Sequence, residues 1–152
     1  MGEGRLRTAW KGHRAMRLVA VHAYPALMLL VVAGNAVLAV WAIGVDLFRG
    51  RRRLGAFFWT VLLVVNALIA LQVASGIILA IGGARPGVPL HFLYGILVIV
   101  GGLVQVGLRP GGFLRQRAFS DPAHVNEPRV LALLCFTELA LVLRAFTTGG
   151  AR

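Results

Sequence analysis

The chain has 152 residues, of which 59% are hydrophobic and 14% charged, where an ordinary soluble domain carries roughly a quarter charged residues. Its formal net charge is +11, from 16 Lys and Arg against 5 Asp and Glu. The basic residues flank long uncharged runs, which points to anionic lipid headgroups and not to nucleic acid. A lone cysteine, Cys135, excludes an intrachain disulfide.

Residues 1–17, with Arg5, Arg7, Lys11, Arg14 and Arg17, form a basic arm or an interfacial helix. The apolar run behind them is longer than the roughly 7–15 residues of a cleavable signal. Helix 1 is expected over about 18–45, followed by the basic connector DLFRGRRRLG. Helix 2 is expected over about 56–82, stopping at Gly82-Gly83, with the turn GGARPGVP behind it. Helix 3 is expected over about 89–108, with Pro89 in its first turn. After the polar loop RPGGFLRQRAFSDPAHVNEP, helix 4 is expected over about 129–148 and contains Glu138 and Arg144, leaving 149–152 as a tail. Each run reaches the length of about 20 residues that crosses a bilayer.

The expected fold is therefore all-α, an integral-membrane four-helix up-and-down bundle occupying residues 18–148, multi-pass in the cell membrane. Trp41 and Trp59 fall near one interface, as in an aromatic belt. One side of the bundle carries Arg5, Arg7, Lys11, Arg14, Arg17, Arg85, Arg144 and Arg152. The other carries Arg49, Arg51, Arg52, Arg53, Arg109, Arg115, Arg117 and Arg129. The positive-inside rule has no asymmetry to act on.

The polar residues inside the apolar runs narrow the chemistry. His22 and His91 stand near the starts of helices 1 and 3, which run in the same direction and so place both imidazoles near one membrane face. At a constant offset, His22, Ala26 and Ala33 align with His91, Gly95 and Gly102, so each histidine heads a stripe of small residues at helical spacing. Small stripes serve close helix packing. A metal site is a second reading, for which His22 and His91 need a third ligand, with His13 as a weak candidate. The third reading is a b-type haem, whose flat macrocycle takes two axial ligands from opposite sides and needs room beside them. On that reading His22 and His91 are the iron ligands, Ala26, Gly95 and Gly102 give clearance, and Arg17, Arg85 and Arg144 pair with propionates. For Arg144, snorkelling to the interface explains the residue equally well.

Glu138, an intramembrane carboxyl, is a functional candidate as a proton carrier, or else a protonated acid bonded to a neighbouring helix. Asn35, Asn66, Gln72 and Gln105 read as interhelical hydrogen-bonding residues. The only lysine, Lys11, lies outside the spans, which excludes a retinal Schiff base within the bundle, and the sequence contains no P-loop.

The stretch LQVASGIILAIGGARPGVPLHFLYG (71–95) resembles the helix pair in each half of the haem A synthases. There a glutamine and a glycine in one helix precede a short turn and a histidine heading the next, which map to Gln72, Gly76 and His91. The resemblance implies a four-helix half-unit with haem-ligating histidines on its first and third helices, here His22 and His91. In general plan the chain also resembles cytochrome b561-type bundles. It differs from the haem A synthases in having one bundle where they have two, and neither RLVAV before His22 nor PGVP before His91 supplies their catalytic glutamate.

The expected function is a membrane-embedded b-type cytochrome holding haem b between helices 1 and 3, in electron transfer or haem handling; an enzymatic version would be an oxidoreductase. Its expected partners are the lipid bilayer, a second copy or other membrane subunits, and a quinone or other redox partner. A non-catalytic transmembrane accessory or scaffold subunit is the main alternative, and a proton-coupled transporter using Glu138 is the third.

Overall fold

The computed structural model describes residues 24–49, 53–119 and 125–149. The expected basic arm at 1–17, the start of helix 1 with His22, and the tail after Gly149 lie outside the described residues. Four long helices make up the bundle: α1 (Pro25–Arg49), α2 (Ala56–Ile81), α3 (Leu90–Gly107) and α5 (Glu127–Gly149), with a one-turn α4 (Arg115–Ala118) in the last loop. All four are long and apolar enough to cross a membrane. The chain is an all-α, multi-pass membrane bundle.

Each helix buries a narrow seam whose positions recur in alternating steps of three and four residues. On α1 the seam is Met28, Val31, Asn35, Leu38, Ala42 and Val45; on α2 it is Phe58, Leu62, Val65 and Ile69. On α5 it is Leu131, Cys135, Glu138 and Val142. This spacing keeps one side of a helix against its neighbours, as in left-handed bundles, and leaves the rest to lipid. The closest packing joins α1 to α5 and α3 to α5, while α2 closes the ring more lightly against α1 and α3. Neighbours are thus antiparallel, and α1 faces α3 across the diagonal.

Helices α2 and α3 keep to their expected limits within a residue or two, and α1, as far as it is described, runs from Pro25 to Arg49, past its expected end near 45. Tyr24 is not helical, and its carbonyl accepts the first helical N–H groups, from Leu27 at 3.1 Å and Met28 at 3.2 Å. Pro25 explains the start: it disfavours helical geometry in the residue before it and suits the first helical position, where its missing N–H costs nothing. At its other end α1 runs on through the charged residues to Arg49. Asp46 is held there by two residues at the head of the α5 segment, accepting hydrogen bonds from Asn126 Nδ2 and, at 2.7 Å, from Arg129 Nε.

A clasp closes this end of the bundle. Gly111, at φ 76°, turns the chain after α3 so that Leu114 N–H donates to Gly107 O at 2.9 Å and Arg115 swings under the helices. Arg115 donates to the Leu108 carbonyl at 2.9 Å and to Glu127 Oε2 at 2.6 Å. Glu127 Oε1 in turn accepts the Leu54 N–H just before α2, at 3.0 Å. One ion pair thereby satisfies backbone groups at the end of α3 and ahead of α2, groups that helix termini otherwise leave orphaned. The Arg115 guanidinium also lies 5.7 Å from the Trp59 ring centroid and 5.4 Å from that of Phe119. Trp59 is consequently buried, edge-on to Phe58. The expected pairing of Trp41 and Trp59 at one end holds, but Trp59 faces the clasp and not the lipid.

Candidate functional site

Burial divides the bundle into two halves. In the half nearer the clasp, α3 buries Val98, Gly102, Gln105 and Gly107, with Leu108 buried just past it, and α2 buries six residues from Phe58 to Ile69, with Leu54 buried ahead of it. In the half around His91, α3 buries nothing between Leu90 and Leu97, α2 buries only Ser75 after Ile69, and α5 only Val142 after Glu138. The described helices pack thinly there.

His91 stands at the second position of α3, after the turn in which its N–H donates to Val88 O at 3.1 Å. Its Nδ1 lies 2.8 Å from the carbonyl oxygen of Ala145, near the end of α5. A carbonyl only accepts, so Nδ1 carries a proton and donates it to Ala145 O. Gly149 makes room for the imidazole: a Cβ there would come within 2.8 Å of Cε1. One turn into α3, a Cβ added to Gly95 would meet nothing within 4 Å. Arg85 and Arg144 are both exposed, Arg144 one residue from the histidine's carbonyl partner. Gln72 and Gly76 are half-buried on α2, with Ser75 Oγ donating to Gln72 O at 2.7 Å.

The two small-residue stripes part company. Gly102 is buried against α2, where a Cβ would come within 2.7 Å of Asn66 Oδ1, so its clearance is taken by Asn66. Ala26 and Ala33 are exposed on the side of α1 away from its seam. Tyr24, ahead of α1, is not helical. His22 and Arg17 lie outside the described residues.

Deeper in the bundle three amides link the helices. Asn66 Nδ2 on α2 donates to Gln105 Oε1 on α3 at 2.9 Å, and Gln105 Nε2 points at Asn35 Oδ1 on α1 (3.5 Å) and Leu134 O on α5 (3.4 Å). Asn35 and Asn66 also donate to the carbonyls four residues back, Val31 at 3.1 Å and Leu62 at 3.0 Å. Gln105 is fully buried and reaches all three other helices, as expected of polar residues that join helices in lipid.

About one turn along α5 from that network, Glu138 is 1% exposed, and neither carboxyl oxygen has a hydrogen-bond partner. Gly101 provides the space: a Cβ at that position would collide with the Glu138 carboxyl. The neighbouring glycines of α3 therefore serve two helices, Gly101 accommodating Glu138 of α5 and Gly102 accommodating Asn66 of α2. The Gly-Gly pair inside an apolar run was the available signal for this, but only the partners across the interface give it meaning. Among the described residues no cluster of three or more His, Cys, Asp or Glu is placed to hold a metal ion.

No protein-family model, no curated protein and no solved structure matches this chain.

Proposed function

We propose that this chain is a b-type cytochrome of the cell membrane that uses His91 as a haem ligand at the thinly packed end of its bundle. The carrying observation is the state of His91: Nδ1–H is committed to Ala145 O, so ligation of iron falls to Nε2. A ligating histidine is usually oriented by a hydrogen bond from its other ring nitrogen. Two further features support the reading. The space beside Gly95 lies one turn below the imidazole, and α1 stands across the bundle from α3, so a residue just ahead of α1 could hold a haem together with His91. His22 is the second ligand on this reading, with Arg85, Arg144 and Arg17 near the propionates. Gly102 and Ala26 are not needed for clearance. Bound haem would supply one-electron chemistry; the chain's own part is to orient His91 and keep the iron within the membrane.

The test is an absorption spectrum of the protein purified in detergent with haem supplied during expression. A low-spin Soret band that disappears in both His91→Ala and His22→Ala, with helical circular dichroism retained, is the expected result. Absence of a Soret band from the wild-type protein, or its survival in both variants, would overturn the proposal. A haem-free protein purified from native membranes with stoichiometric subunits would point to the accessory-subunit alternative.

A further inference from the structure

Glu138 is the middle residue of the 23-residue α5, so about 16 Å of helix separates it from either end. The other two described carboxylates within the long helices lie near helix ends and are paired, Glu127 with Arg115 and Asp46 with Arg129. Glu138 has no such partner, although intramembrane carboxyls as a rule pair with a cation, another polar side chain or backbone. Nor is it part of the structural polar network, since Asn35, Gln105 and Asn66 bond one another without it. Gly101 nevertheless leaves room for its carboxyl, and a methyl group there would displace it.

A buried carboxyl without a hydrogen-bond partner is stable only with a ligand that neutralises it. A metal cation is a poor candidate, because a hard cation such as Mg²⁺ or Ca²⁺ needs six or so oxygen ligands and the described residues include no ligand cluster. A proton needs one lone pair. Among the described residues the surroundings are otherwise nearly free of ionisable groups. Helix α2 has none, α1 none between Tyr24 and Asp46, and α3 none between Tyr94 and Arg109. On α5 itself, buried Cys135 lies about one turn towards the clasp and exposed Arg144 six residues the other way.

The two directions along the α3–α5 seam are unequal. Towards the clasp lie the Gln105 network, Leu131 and the Arg115–Glu127 pair, all buried or closely bonded. Towards His91 lie the open space at Gly95 and a stretch of α3 with no buried residue. Ala145, which accepts the His91 hydrogen bond, is two turns from Glu138, about 10 Å. We infer that Glu138 is a proton-binding site at mid-membrane, loaded and emptied through the His91 end of the α3–α5 seam.

Infrared spectroscopy of the protein in lipid, without haem, tests this independently of the cytochrome reading. At neutral pH the wild type should show the carbonyl stretch of a protonated carboxylic acid, absent in Glu138→Gln and retained at a shifted position in Glu138→Asp. Transfer into D₂O should shift the wild-type band as COOH becomes COOD. Gly95→Leu, which fills the space on the His91 side, should slow that shift severalfold while leaving the band in place. A wild-type protein with no such band, or a band that never responds to D₂O, contradicts the site. An exchange rate unchanged by Gly95→Leu contradicts the route. If Glu138→Gln fails to fold, the wild-type isotope shift and Glu138→Asp still decide the outcome.

Discussion

The two ends of the bundle solve the same problem in opposite ways. At the clasp end, Arg115 and Glu127 tie the beginning of α2, the end of α3 and the start of α5 into one unit, roofed by Trp59 and Phe119. At the other end the imidazole of His91 meets the Ala145 carbonyl and packs against Gly149, and few side chains of α2, α3 and α5 are buried around it. An end built for stability pairs its charges and caps its helices. An end that leaves space at Gly95, one turn from a histidine oriented by a carbonyl, is suited to holding or admitting something else. Where lipid supplies no hydrophobic drive between helices, polar contacts show which half of a membrane bundle is fixed.

This contrast predicts a gradient of stability effects. Glu127→Ala should cost most, about 2–4 kcal/mol, because it strands the Arg115 guanidinium and the Leu54 N–H together; breaking buried ion pairs costs up to about 3–5 kcal/mol, and Arg115 keeps some solvent contact. Thermal unfolding in detergent measures it, and Arg115→Lys should cause a smaller loss of its own, since an ammonium keeps the charge but does not reproduce the planar fork. Gly101→Ala comes next, at roughly 1–3 kcal/mol of overpacking against Glu138. The combined Gly101→Ala/Glu138→Ala variant should be less destabilised than the two single effects added together, a coupling that a double-mutant cycle reads directly. Gln105→Leu should cost about 1–2 kcal/mol, given that hydrogen bonds between membrane helices average near 0.6 kcal/mol each. Arg129→Ala, removing a pair whose arginine is mostly exposed, should cost at most about 1 kcal/mol. His91→Ala should fall near this low end for the haem-free protein. A large loss there would mean that the His91 end is as structural as the clasp.

Much of the architecture was legible because it follows from apolar length and helix punctuation. The Gly82-Gly83 pair ends α2 and Pro89 precedes α3 where such residues should. The start of α1 was also written in the sequence, in Tyr24-Pro25, but the apolar residues on either side of the proline concealed it. The end of α1 was hidden for a different reason. Asp46 remains helical because Asn126 and Arg129, some eighty positions away, bind it, and local pattern carries no trace of that contact. Arg115 and Glu127 looked like loop charges for the same reason. That Asn35, Asn66 and Gln105 would join helices could be read from polarity in an apolar run, whereas the partner of each could not. Glu138 was conspicuous as a carboxyl in oil, but its lack of a partner and its place at Gly101 are properties of the packed bundle.

The most direct measurement is the absorption spectrum of haem-supplied wild type and His91→Ala, taken beside their thermal unfolding in the haem-free state. The account predicts a low-spin Soret band in the wild type, its loss on substitution, and unfolding curves that nearly coincide. A wild type without a Soret band, or a band indifferent to His91, would contradict the assignment of the open end as a haem site.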